Sequence, residues 1–262
     1  MTAREAQDPL LNKWIMLIDE QPANLFFTNK LLLNLGFRNV YACESGLMAM
    51  KMNIKYPCDL VLTSCQMHDM NIAEICRSIR GMEKERGTHT PVIAMTSDPL
   101  EEAHKKYSAM GVDDCIGKPL TAGSAGVILR KWLRTDAVVR NRGRMSEIKE
   151  EIPASLMDMP IDLSRLKELF GQNENEKQVA IKMFMKGIED NLSVMSMALM
   201  SNNGQLWKET AHRIKGAAAN FGAHQMQALA TQAEDYSNCE LNDKQVLLKM
   251  MTTAYEDITK YL

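Results

Sequence analysis

The sequence has no long hydrophobic run. Its longest apolar stretches, such as Trp14–Ile18, are strand-sized and fall well short of the roughly 20 residues that cross a bilayer. The opening Met-Thr-Ala-Arg-Glu-Ala-Gln-Asp is polar and charged, and no apolar core of signal-peptide length follows it. Both absences predict a cytoplasmic protein with no membrane partner. An excess of one charge is missing too, because 31 Lys and Arg face 33 Asp and Glu for a net −2. The balance holds by region, at +1 for residues 1–135 (16 basic, 15 acidic), −1 for 136–160 (4 and 5) and −2 for 161–262 (11 and 13). No segment is basic enough to track a phosphate backbone, so nucleic acid is not an expected partner. The six cysteines (Cys43, Cys58, Cys65, Cys76, Cys115, Cys239) include no C-x-x-C pair and sit mostly within apolar runs. That pattern predicts reduced core thiols and favours neither a disulfide frame nor a zinc site. There is also no G-x-x-x-x-G-K-[ST] loop. Gly123-Ser124-Ala125-Gly126 is too short and lacks the lysine, so autonomous ATP-dependent phosphorylation is not expected.

What is present is an ordinary globular balance of 45% apolar and 24% charged residues over 262 positions, enough for two hydrophobic cores. The 21 methionines are scattered along apolar stripes and read as core filler. Residues 13–134 alternate short apolar runs with amphipathic segments. Candidate strands are Trp14–Asp19, Val40–Cys43, Leu60–Ser64, Val92–Thr96 and Asp114–Gly117, with helices at about 22–36, 45–56, 70–83, 99–110 and 121–134. Strand and helix repeated five times is the pattern of an open parallel sheet covered on both faces, whose functional residues gather at the carboxyl ends of the strands. After Arg134 the pattern dissolves into mixed charges with prolines at 153 and 160, which reads as a linker with a short exposed helix near 145–151. From Ile161 onward there is neither proline nor strand signal. Apolar residues recur there at helical spacing over about 162–170, 175–201, 204–221, 223–238 and 243–261, predicting a helical bundle. The expected division is an α/β domain at 1–135, a linker at 136–160 and an all-α domain at 161–262.

One helix of the second half stands out. In residues 207–223, Trp207, Ala211, Ile214, Ala218 and Phe221 form a single stripe, which must be the core face. His212 falls about 140° from the stripe centre and Gly216 about 180° from it. A glycine inside a helix costs about 1 kcal/mol relative to alanine, and close approach of another protein to the imidazole would account for it. Lys215 lies beside the ring and could neutralise an anion carried there, and Ala219 prolongs the small-residue strip. The constellation A-H-x-x-K-G-x-A-x-x-x-G-A over residues 211–223 strongly resembles the histidine phosphotransfer (HPt) domain of multistep phosphorelays. The resemblance implies that His212 accepts and donates a phosphoryl group, supported by Lys215, with Gly216 clearing space. Neutral imidazole is a competent nucleophile near pH 7, so the chemistry fits. His68, His89, His104 and His224 show no partner pattern and read as surface decoration.

The first half resembles the response-regulator receiver domain over nearly all of residues 13–134, which implies a flavodoxin-like, doubly wound (βα)5 sheet ahead of the antiparallel helical bundle. The landmarks are Leu17-Ile18-Asp19-Glu20, Asp59-Leu60-Val61-Leu62, Ala94-Met95-Thr96-Ser97 and Gly117-Lys118-Pro119. In a working receiver the acidic pair, here Asp19 and Glu20, helps hold Mg²⁺, and the positions of Thr96 and Lys118 contact phosphoryl oxygens. An aspartate ending the third strand takes the phosphoryl group, and that position is Ser64 in this chain. A serine hydroxyl is neutral and neither attacks as a carboxylate does nor ligates Mg²⁺ strongly. His68 stands where the family has a proline, and Cys115 where it has an aromatic switch residue. The expectation is a pseudo-receiver with no cofactor, residual Mg²⁺ at Asp19 and Glu20 being disfavoured. The Lys118–Pro119 bond is a candidate cis peptide, as in the family.

The resemblances together imply a phosphorelay carrier. His212 would exchange a phosphoryl group with the receiver of a hybrid histidine kinase, a downstream response regulator, or both. The inactive receiver would serve docking, dimerisation, including a homodimer, or regulation. The competing expectation is a non-catalytic adaptor in which His212 is unused, and an active response regulator is disfavoured by Ser64.

Overall fold

The computed structural model describes residues 8–133 and 160–262. The short helix expected near 145–151 lies outside them. In the first half, five strands run β1 (Trp14–Ile18), β2 (Asn39–Cys43), β3 (Leu60–Ser64), β4 (Val92–Thr96) and β5 (Asp114–Gly117). All pair in parallel, in the order β2-β1-β3-β4-β5. The helices between them are α1 (Pro22–Asn34), α2 (Gly46–Lys55), α3 (Ile72–Arg86), α4 (Leu100–Ser108) and α5 (Ala122–Leu133). Strands β3 and β4 are buried at every residue, the reason they read as continuous apolar runs. The chain reverses direction across the sheet between β1 and β3, which opens a crevice at their carboxyl ends. Asp19, Glu20 and Ser64 stand at that crevice, and Lys118 directly follows β5 and precedes a cis Lys118–Pro119 peptide.

The second half is helical throughout. It comprises α6 (Leu163–Phe170), α7 (Glu174–Met200), α8 (Gly204–Asn220), α9 (His224–Asp235) and α10 (Leu241–Tyr261), with a short 3-10 turn at Tyr236–Asn238. Asn173 and Asn203 cap α7 and α8 by accepting from the backbone N–H groups of Glu176 and Leu206. The predicted stripe of α8 is fully buried at Trp207, Ala211, Ile214, Ala218 and Phe221. The Trp207 indole donates to the Ala233 carbonyl at 2.8 Å, which pins α8 against α9. Gly222 makes the turn between them at φ +68°.

Two hydrophobic cores are present, but they do not follow the expected division. One fills the sheet face under α2, α3 and α4, around Met16, Ile75 and Val92. The other begins on the opposite sheet face with Leu17, Leu62 and Leu129 and continues without a break into the bundle, through Phe27, Phe184 and Trp207. Helix α1 is the bridge. Phe26 stacks on Phe170 with ring centroids 6.0 Å apart, and Phe27 meets Phe221 at 5.7 Å. The Asn220 amide donates to Asn24 at 2.8 Å and the Asn34 amide to the Leu169 carbonyl at 2.7 Å. Arg165 donates to the Leu120 carbonyl at 2.9 Å, and Lys30 pairs with Glu176.

Candidate functional site

His212 sits midway along α8 on the side turned toward the sheet crevice. Its Nδ1 meets the Glu234 carboxylate at 2.5 Å, and the other oxygen of Glu234 takes the Lys215 ammonium. Burial pushes the Glu234 carboxyl up, but the hydrogen bonds from His212 and Lys215 and their charges outweigh it and hold the group below the usual carboxylate range. A carboxylate can only accept, so the shared proton is on Nδ1. In the neutral imidazole Nε2 therefore carries the lone pair, and among the described residues it makes no hydrogen bond. Lys215 was expected beside the phosphoryl group, whereas here its ammonium is spent on Glu234. Its charge acts on the imidazole through that shared carboxylate.

A cavity of about 20 Å³ is lined by His212, Arg213 and Gly216 on one side and by Asp19, Glu20, Ser64 and Lys118 on the other. Four of the five degenerate-site residues thus meet the histidine motif in one place. Thr96 is buried nearby with its hydroxyl accepting from the Asp98 N–H at 3.0 Å, and it does not line the cavity. Lys118 donates to Asp19 at 2.6 Å and to the Ser64 hydroxyl at 3.2 Å. Glu20 binds the backbone N–H and the ring of His68, and Arg213 donates to the far side of that ring at 2.9 Å. These residues do not fit the divalent cation of a working receiver. Asp19 is neutralised by Lys118, Glu20 is turned to His68, and Ser64 supplies no charge. Among the described residues no group of three or more His, Cys, Asp or Glu could hold a metal.

The reading of His68 as surface decoration is overturned, because it joins Glu20 of the crevice to Arg213 of α8. Helical periodicity could not see this, since the partner lies 145 residues away. Gly216 is also not open to solvent. It is buried, with a Cβ placed there 3.9 Å from the amide nitrogen of Asn24. Glu234 was missed altogether, yet a signal existed. His212 and Glu234 lie eleven residues either side of Ala223 at the α8–α9 turn, so an antiparallel helix pair brings them level.

The family model for the response regulator receiver domain matches residues 15–125, and that for the Hpt domain matches residues 179–259. The chain is a receiver domain joined to an Hpt domain. The Hpt model spans the α8 motif, and the receiver model spans β1 to β5. The chain is 27% identical over 223 residues to the sensor histidine kinase GacS of Pseudomonas protegens, covering 84% of this chain and 24% of that protein. It is 26% identical over 226 residues to the aerobic respiration control sensor protein ArcB of Escherichia coli, covering 86% and 28%. The chain therefore spans about a quarter of the length of the curated relatives it matches. Among solved structures, the receiver domain of the Pseudomonas aeruginosa sensor histidine kinase PA1611 aligns at 25% identity and a TM-score of 0.42, covering 47% of this chain and 98% of that one. The receiver and Hpt domains place the chain in two-component phosphorelay signalling. No helix among the described residues is long and apolar enough to cross a membrane.

Proposed function

We propose that His212 is the phosphoryl carrier of the chain and that the receiver is chemically silent. The observation that carries this reading is the Glu234–His212 contact, which in the neutral imidazole holds the proton on Nδ1 and leaves the lone pair on Nε2. Attack by Nε2 on the phosphorus of an aspartyl phosphate forms the N–P bond as the P–O bond to the carboxylate breaks, and the carboxylate leaves as an anion. No proton has to be removed from Nε2, so no general base is needed. The Nδ1–H held on Glu234 offsets positive charge developing on the ring, and Lys215 keeps that carboxylate ionised and in place. The reverse reaction returns the group to a receiver aspartate by the same path.

The partners of this chemistry are phosphorylated receivers, from a hybrid histidine kinase upstream or a response regulator downstream. Silence of the chain's own receiver follows from Ser64, whose hydroxyl is hydrogen-bonded by Lys118 and has no base beside it. The proposed division is a pseudo-receiver at 1–135, a linker at 136–160 and the Hpt domain at 161–262, in a cytoplasmic protein. The test is to incubate the chain with each phosphorylated receiver of its own organism and look for acid-labile, base-stable label. Label on His212 with at least one of them is expected. Label on no residue with any of them, in the full chain and in variants whose receiver is displaced from α8, would leave only an adaptor role.

A further inference from the structure

We propose that the receiver of this chain is a cis occupant of the surface on which a phosphorylated partner receiver must dock, so that transfer in trans requires it to move off α8. This rests on the phosphorelay reading of His212 and adds to it the state in which His212 is held. The crevice at the carboxyl ends of β1 and β3 closes directly over His212 and Gly216. The space left is about 20 Å³, little more than the ~10–15 Å³ that admits one water. His212 keeps 20% of its side chain exposed, but with this crevice seated on α8 a second receiver cannot bring its own crevice onto the same face. Residues 216–220 are buried on every side of α8, including the side that its own bundle does not cover. Helix α1 meets this stretch at both ends, through Asn24 beside Gly216 and on Asn220, and Phe27 packs on the adjoining Phe221.

The occupant has the shape of a receiver and lacks its chemistry. Ser64 stands across the cavity from His212 where a donor aspartate would stand, so the closed state is unproductive. An incoming phosphorylated receiver presents the same kind of crevice and competes for the same face. The cis copy is tethered on one chain and so acts at an effective concentration on the order of millimolar. Charged contacts hold the rim of the cover, Lys30 on Glu176 and Arg213 on His68 and Glu20. Beneath that rim the Phe26 and Phe27 side chains of α1 pack on Phe170 and Phe221, so moving the receiver off α8 must part this apolar contact as well.

The test uses the full chain and diethyl pyrocarbonate, which modifies an accessible imidazole nitrogen, with peptide mass spectrometry to assign each histidine. His89 and His104, about half exposed at 53% and 48%, are the references within the chain. We expect His212 to react at least tenfold more slowly than His104. Asn24→Arg, which forces a charge into the α1–α8 contact, and Lys30→Glu, which sets like charges against Glu176, should each raise the His212 rate several-fold. Lys30→Glu combined with Glu176→Lys should return it to the wild-type value. Should Asn24→Arg fail to fold, the Lys30 and Glu176 exchange decides alone. Modification of wild-type His212 as fast as His104, or a rate indifferent to both opening substitutions, overturns the proposal. Phosphoryl label is scored separately on the same variants. Its absence even from opened chains would defeat the phosphotransfer reading, while the imidazole rates would still decide whether the cover exists.

Discussion

At the scale of single residues, the imidazole of His212 matters less as an exposed group than as one whose proton is assigned. Replacing His212 with Gln removes the nucleophile but keeps an amide able to reach Glu234, so acid-labile labelling should vanish while the thermal midpoint moves by no more than a few degrees. A collapse in helicity would mean that the ring supports the bundle. Glu234→Gln tests the proton assignment, because a neutral amide no longer demands the Nδ1 tautomer. Transfer should fall by about 10- to 100-fold, the range in which orienting partners of a histidine act. The carboxyl of Glu234 is held below its ordinary value of 4.5, so its stabilising contribution is complete above that pH and is lost as the pH falls through the lower folded value. The difference in stability between wild type and Glu234→Gln, about 1.5–3 kcal/mol for hydrogen bonds to a charged group, should therefore shrink as the pH falls below 4.5. Urea titrations across that range measure it, and a difference that grew in acid would reverse the sign of the argument.

The elements that place this site were legible in the sequence to different degrees. Each strand of the sheet was visible as an apolar run, and the five observed strands begin or end within a residue of the expected ones. The stripe on α8 was visible for the same reason, since a 3.6-residue period reports which side of a helix meets its own bundle. That period says nothing about a second body on the opposite side. Gly216 and Ala219 therefore looked open and are in fact buried, Gly216 beside Asn24 of α1. The α8–α9 turn carries the alignment of His212 with Glu234, and Gly222 is its most constrained position. It adopts φ +68°, and a Cβ there would lie 2.9 Å from the Asp162 carbonyl oxygen, which belongs to backbone and cannot swing aside. Gly222→Ala should cost about 1–2 kcal/mol and lower the midpoint by several degrees. Gly216→Ala should do the opposite. Its Cβ meets only the Asn24 amide at 3.9 Å, so the gain in helix propensity, up to about 1 kcal/mol, is not offset. A leucine there has no such room, and Gly216→Leu should both open the closed state and block a docking partner.

For the molecule as a whole, the arrangement makes a demand that reaches beyond either domain. Ser64 and His212 line one cavity, so a donor placed at residue 64 would face the imidazole within the chain. Ser64→Asp supplies it. The new carboxylate would sit beside Asp19 with the Lys118 ammonium between them, 2.6 Å from Asp19 and 3.2 Å from the present hydroxyl. Given a small phosphodonor and Mg²⁺, the substituted receiver should take up phosphoryl groups slowly, because Glu20 remains committed to His68 and the cavity of about 20 Å³ must open to admit the donor. Any group that forms there faces His212 across the cavity and should pass to Nε2 within the chain. The Ser64→Asp protein should therefore accumulate acid-labile, base-stable label on residue 212, at a rate independent of protein concentration. Wild type should show none under the same conditions. In the combined Ser64→Asp and His212→Gln variant the label should stay on residue 64 as an acyl phosphate, sensitive to hydroxylamine. Label that remains on residue 64 while His212 is intact would mean that the two domains do not meet in solution as they do here, and the shared cavity could not then account for how this chain controls its histidine.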